Sequence, residues 1–166
     1  LSTGLTKDYN TKIMTNEALQ NLISSWIPDP IAIGLEFTEE KSQFLNITVQ
    51  PEQLHQLMTQ LKNNPDTKFD YLFCLSGVDW GKELGVVYHL ESTTHRHQLV
   101  VKVKTEDREN PTFDTVCTIW RTAEFHEREV FDFFGIQFTN HPNLKRLFLT
   151  EEWDGFPLRK DYVDEI

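Results

Sequence analysis

KFDYLFCLSGVDWGKELGVVYHLESTTHRHQLVVKVKT, residues 68–105, holds three apolar runs separated by two short polar breaks. The runs cover 68–80, 84–92 and 98–105, and the breaks are Gly81-Lys82-Glu83 and Thr94-His95-Arg96-His97. Short runs rich in Val, Tyr, Phe and Leu, bounded by turn residues, predict strands joined by tight connections. The last run alternates Val with Lys, as a strand does when one sheet face is wet.

Two further strand-like runs lie upstream, IAIGLEF at 31–37 and QFLNITV at 43–49, joined by the charged turn TEEK. Helical spacing flanks them. Asn16–Ile27 places Leu19, Leu22, Ile23 and Trp26 on one stripe and ends at Pro-Asp-Pro. PEQLHQLMTQLKNNP opens with Pro51 at a helix start and carries Leu54, Leu57, Met58 and Leu61 on one face. Short strands with short turns and flanking helices predict an α+β domain with a mixed or antiparallel sheet, not a βαβ series. The expected division is an α+β domain over 1–135 that ends in a helix, then an extended aromatic and basic tail over 136–166.

The chain has 166 residues, enough for one domain with a real core. Its formal net charge of −10 disfavours phosphate backbones and anionic lipid surfaces as partners. No apolar run has the length needed to span a bilayer as a helix. The opening stretch LSTGLTKDYNTKIM is polar and mixed, unlike a secretory signal, and reads as a trimmed or tagged start. Cys74 and Cys117 are far apart with no C-x-x-C pair, which argues against an iron–sulfur cluster or structural zinc supplied by this chain alone. They read as reduced, buried thiols of a cytosolic protein.

From Pro111 to Phe134 the residues follow a helical period, and Val116–Phe134 is expected as one helix. Arg121, Glu124, Arg128 and Asp132 then share a face as an alternating ladder of ion pairs, read as a solvated face. The opposite face holds Val116, Ile119, Trp120, Ala123, Val130 and Phe134, with Glu127 in its middle. A carboxylate in an apolar stripe must be protonated, paired or at its edge. The expected partners are the tail cations Arg146, Arg159 and Lys160, in an ion pair that pins the tail to the helix.

The histidines give weaker signals. His-Glu-Arg-Glu at 126–129 lacks the second His of H-E-x-x-H, so a zinc-protease reading fails, and a metal-dependent hydrolase centred on His126 has only residue type behind it. His95 and His97 read as a solvated turn. His141 precedes Pro142, which favours extended backbone, and reads as a tail residue making a hydrogen bond. Ten of the twenty aromatic residues lie between Trp120 and Tyr162. Rings such as Phe148, Trp153 and Phe156 sit on a segment too broken by Pro and Gly to carry them all into a core. Rings and arginines together on one irregular segment match the composition of protein–protein contacts.

Those residues carry a resemblance. EREVFDFFGIQFTNHPNLKRLF at 127–148 and WDGFPLRKDY at 153–162 resemble the signature of the 30 kDa subunit family of NADH–quinone oxidoreductase, respiratory complex I. Looser similarity runs upstream through GVDW and VVYHLES. The resemblance implies a non-catalytic structural subunit of the complex's hydrophilic arm, with no cofactor of its own. FMN and iron–sulfur clusters belong to partner subunits, which carry electrons from NADH to quinone coupled to proton translocation. It further implies contacts with the large quinone-site subunit and cluster-binding subunits, and a peripheral place on the cytoplasmic face of the inner membrane. Glu127, Arg128, Asp132, His141, Pro142, Arg146, Trp153, Arg159, Lys160 and Asp161 are then interface or structural residues, with no catalytic, cofactor-binding or metal-binding residue. The related subunit of a membrane-bound hydrogenase or ferredoxin-linked complex is the alternative. Relatives often continue past the Arg-Lys-Asp-Tyr run, so contacts of a longer tail are not carried over.

Overall fold

A computed structural model describes residues 14–26, 36–38 and 44–163. The expectations for 1–13, for most of IAIGLEF and for the TEEK turn lie outside those residues. The elements run α1 (Asn16–Trp26), β1 (Glu36–Thr38), β2 (Leu45–Val49), a 3-10 turn (Pro51–Gln53), α2 (Leu54–Asn63), β3 (Tyr71–Asp79), β4 (Leu84–Ser92) and β5 (His97–Thr105). They continue with β6 (Thr112–Asp114), α3 (Ala123–Phe134) and β7 (Gln137–Thr139).

The fold is α+β, as the strand and turn pattern implies. Five strands form one mixed sheet in the order β1-β2-β5-β4-β3. β3, β4 and β5 form an antiparallel meander, with Leu84 opposite Thr105 and Val103 opposite Val86. The sheet is mixed because β2 lies parallel to β5, with Leu45 beside Leu99. Alternate strand residues, among them Ile47, Leu72, Val86, Tyr88, Leu90, Leu99, Val101 and Val103, join Leu19 and Ile23 of α1 and Leu54, Leu57, Met58 and Leu61 of α2 in one core.

Two local expectations are corrected here. His95 and His97 are not a solvated pair: His97 is buried with its Nε2 on the Thr67 carbonyl, and the two rings stack at 5.7 Å. A left-handed Arg96 between them, at φ 57°, lets both rings turn the same way. The cysteines are free but only half-buried.

The helix over 116–134 is also shorter than its period suggests. Residues 112–114 form β6, which pairs parallel with β7, and the chain then turns before α3 begins at Ala123. Tertiary bonds take this segment away from the helix. The Trp120 indole N–H donates to the Phe69 carbonyl at 3.1 Å, the Lys62 ammonium to the Ile119 carbonyl, and the Thr122 hydroxyl to the Leu72 carbonyl at 3.3 Å. Helix α3 packs against β3, with the Phe134 ring over Gly77. A side chain there would start 2.5 Å from that ring, so Gly77 is what lets α3 approach the sheet.

Candidate functional site: the joint between α3 and the tail

α3 ends where Gly135 takes a left-handed conformation, φ 70°, and donates its N–H to the Phe131 carbonyl. Gly135 has a second job. Its missing Cβ makes room for the Phe156 ring, which would lie 2.4 Å from such an atom. After β7, Asn140 at φ 62° turns the chain back, and residues 141–163 run along α3 rather than away from it.

The charged residues of α3 organise that return. Asp132 is fully buried, and one of its oxygens accepts three consecutive tail N–H groups: Leu147 at 3.0 Å, Phe148 at 2.7 Å and Leu149 at 3.0 Å. Its other oxygen accepts from the Arg146 guanidinium at 3.0 Å. Burial alone would raise its pKa, but those donors together outweigh it and hold the carboxyl below its ordinary range. Arg128, also buried, donates to the Lys145 and Arg146 carbonyls at 3.1 and 3.0 Å. The Arg146 fork continues to the Trp153 and Gly155 carbonyls. Arg128 and Asp132 are therefore not rungs of a solvated ladder. They are buried groups that satisfy the tail's backbone, because an irregular segment has no ladder of its own to do so.

Glu127 is fully buried, but its partners are not the expected tail cations. It accepts the Val116 N–H at 2.8 Å and the Thr115 hydroxyl. Two of those cations are committed elsewhere. Arg146 serves Asp132, and Arg159 donates to the Phe134 carbonyl at 2.6 Å and the Arg108 carbonyl at 2.8 Å. Lys160 contributes its backbone N–H to Asp79. With no cation against it, burial pushes the Glu127 carboxyl up to about 7, despite the lowering effect of its two donors.

His141 places its Nε2 at 3.0 Å from the Glu124 carbonyl and 3.9 Å from Glu127 Oε2. Its Nδ1 accepts the Asn143 N–H at 3.1 Å, so the ring proton sits on Nε2. Pro142 is exposed beside it.

The far end of the tail closes on the sheet. Arg108 grips Asp79 through two bonds of 2.9 Å and reaches Asp161 at 2.9 Å. The Arg108 guanidinium holds Asp79 well below the usual carboxylate range. Arg146 and Arg159 both lie over the Phe156 ring, at 5.4 and 4.9 Å. Phe156 is thus absorbed, whereas Phe148, stacked on Phe133, stays 64% exposed, and Trp153, Leu158 and Val163 are exposed with it. Thr115 and Asp79 are the partners that sequence reasoning missed. Both act through tertiary contacts with no local signal.

Residues 47–165 match the family model described as "Respiratory-chain NADH dehydrogenase, 30 Kd subunit". The chain belongs to this family. The stretches from Glu127 to Phe148 and from Trp153 to Tyr162, which supply most of this joint, lie within the matched residues. Among curated relatives, the NADH-quinone oxidoreductase C/D subunit of Phocaeicola vulgatus is 48% identical over 121 residues, covering 72% of this chain and 23% of that protein. The NADH-quinone oxidoreductase C subunit of Roseiflexus sp. is 38% identical over 151 residues, covering 89% of this chain and 84% of that one. The chain thus spans about a quarter of its C/D relatives and most of this separate relative. A chain of an archaeal membrane-bound sulfane sulfur reductase, a respiratory membrane complex, has the same fold: TM-score 0.72, 24% identity, 89% of this chain and 85% of that one covered. Among the described residues no helix is long and apolar enough to cross a membrane.

Proposed function

We propose that this 30 kDa family member is a non-catalytic structural subunit of the hydrophilic arm of an NADH–quinone oxidoreductase. The parent complex passes electrons from NADH through FMN and iron–sulfur clusters in partner subunits to quinone, coupled to proton translocation. This chain holds neighbours in register and is peripheral, on the cytoplasmic face of the inner membrane. Its contacts are with the large quinone-site subunit and the cluster-binding subunits.

The observation that carries the reading is the tail. It is fastened to α3 through Asp132, Arg128 and Arg146, yet it leaves Phe148, Trp153 and Leu158 facing outward. A fixed backbone with exposed rings is preorganised for docking, since little conformational entropy remains to be lost on binding. Arg159 and Asp161 complete the fastening through Arg108.

Affinity capture of this chain from mildly solubilised native membranes, with mass spectrometry of what co-purifies, tests the proposal. Flavin, cluster and membrane-arm subunits of one NADH–quinone oxidoreductase are the expected company. Hydrogenase subunits would reassign the chain to a related complex, and recovery of the folded chain alone would overturn the assembly role.

A further inference from the structure

We propose that Cys117, Glu127 and His141 form a binding site for a single zinc-class divalent cation where the 115–120 turn, α3 and the tail meet. The site is independent of the assembly role argued above, and stands on the geometry of this chain alone.

The thiol sulfur, a carboxylate oxygen and an imidazole nitrogen all lie within 4.8 Å of one another. The carboxylate and imidazole atoms are 3.9 Å apart, with both side chains fully buried. A tetrahedral zinc with bonds of about 2.0–2.3 Å separates its ligand atoms by roughly 3.3–3.8 Å, so the three donors stand within about 1 Å of a binding arrangement. Sulfur, nitrogen and oxygen donors together select zinc or cobalt over magnesium or calcium, which favour oxygen alone.

Charge points the same way. Asp114 lies within electrostatic reach of Glu127, both Glu124 and Glu127 lie within that of the Cys117 thiol, and His141 comes to Glu127 from the tail at 3.9 Å. The nearby arginines are spent on Asp132 and on backbone carbonyls. No cationic side chain among the described residues therefore balances this buried acid, and a bound cation would. Three protein ligands leave one position for water.

Loading has a cost that the hydrogen bonds define. A metal on His141 Nε2 displaces the proton now donated to the Glu124 carbonyl, and the neutral ring must then carry its proton on Nδ1, against the Asn143 N–H. The Cys117 thiol proton leaves to solvent, and so does the Glu127 carboxyl proton where the buried group is protonated. The segment 141–143 must shift to accommodate this, so the cation is an optional clamp between tail and helix rather than a requirement for folding.

Cobalt(II) titration of the purified full chain carrying Cys74→Ser, which leaves Cys117 as the sole thiol, is the test. One equivalent should bind, with thiolate-to-cobalt charge-transfer absorption and the intense visible bands of tetrahedral cobalt, and zinc should displace it. Cys117→Ser, at a half-exposed position and with the fold checked by circular dichroism, should abolish the charge-transfer band. His141→Gln should weaken binding at least tenfold. No uptake, an unchanged spectrum in Cys117→Ser, or uptake lost instead with His95→Gln would each overturn the site.

Discussion

Replacing Asp132 with Asn exposes how the tail is held. One oxygen of Asp132 takes three backbone N–H groups and the other takes Arg146. Asn offers one oxygen and one NH2, so either the three amides or the guanidinium must face a donor. Hydrogen bonds to a charged group are worth about 1.5–3 kcal/mol each, and losing one partner of a buried pair costs about 3–5 kcal/mol. The tail amides regain water when the tail lifts, so the cost is capped by undocking, and we expect a loss of about 3 kcal/mol in local opening energy. That corresponds to roughly a hundredfold faster amide exchange. Hydrogen exchange should show it at Leu147, Phe148 and Leu149, with the β4 and β5 amides changed far less.

Acid provides a second axis. Because the folded-state pKa of Asp132 is depressed, its contribution is fully present above the unfolded value of 3.8 and fades as pH falls through the folded value. Wild-type protection of these amides should therefore fade in acid, and that of the variant should stay level. Unchanged exchange at 147–149 in Asp132→Asn, or an equal change across the sheet, would refute the reasoning.

Other perturbations test neighbouring contacts. In metal-free buffer, wild type should lose stability relative to Glu127→Gln as pH rises from 4.5, the loss levelling off above about 7 at about 3 kcal/mol. A raised carboxyl pKa means that the fold favours the protonated form, and urea midpoints across that range will read the difference. Gly135→Ala should cost at least about 2 kcal/mol in urea unfolding, since it adds left-handed backbone strain to a Cβ driven into the Phe156 ring. Phe148→Ser should change stability by less than about 1 kcal/mol, because the ring is exposed, yet reduce co-purification of partner subunits in the capture experiment.

The elements that local pattern determines are legible in the order of residues alone. The run 84–92 is β4 to the residue, and Leu19 and Ile23 of the first helical stripe and Leu54, Leu57, Met58 and Leu61 of the second are core residues on α1 and α2. Alternation and helical period encode which face each element buries, and a single sequence displays both. The same argument fails over 116–122, where a valid helical period is overridden by bonds from Phe69, Lys62 and Leu72, all remote in sequence. The charged residues of α3 divide in the same way. That Glu127 could not sit unanswered in an apolar stripe follows from sequence alone. That Thr115 and Val116 answer it, and that Asp132 rather than Glu127 meets Arg146, depends on where β6 and the tail come to rest. Spacing along a helix specifies a face, but a partner across the fold is specified only when the chain closes, because buried polar groups bond whatever backbone or side chain packing brings within reach.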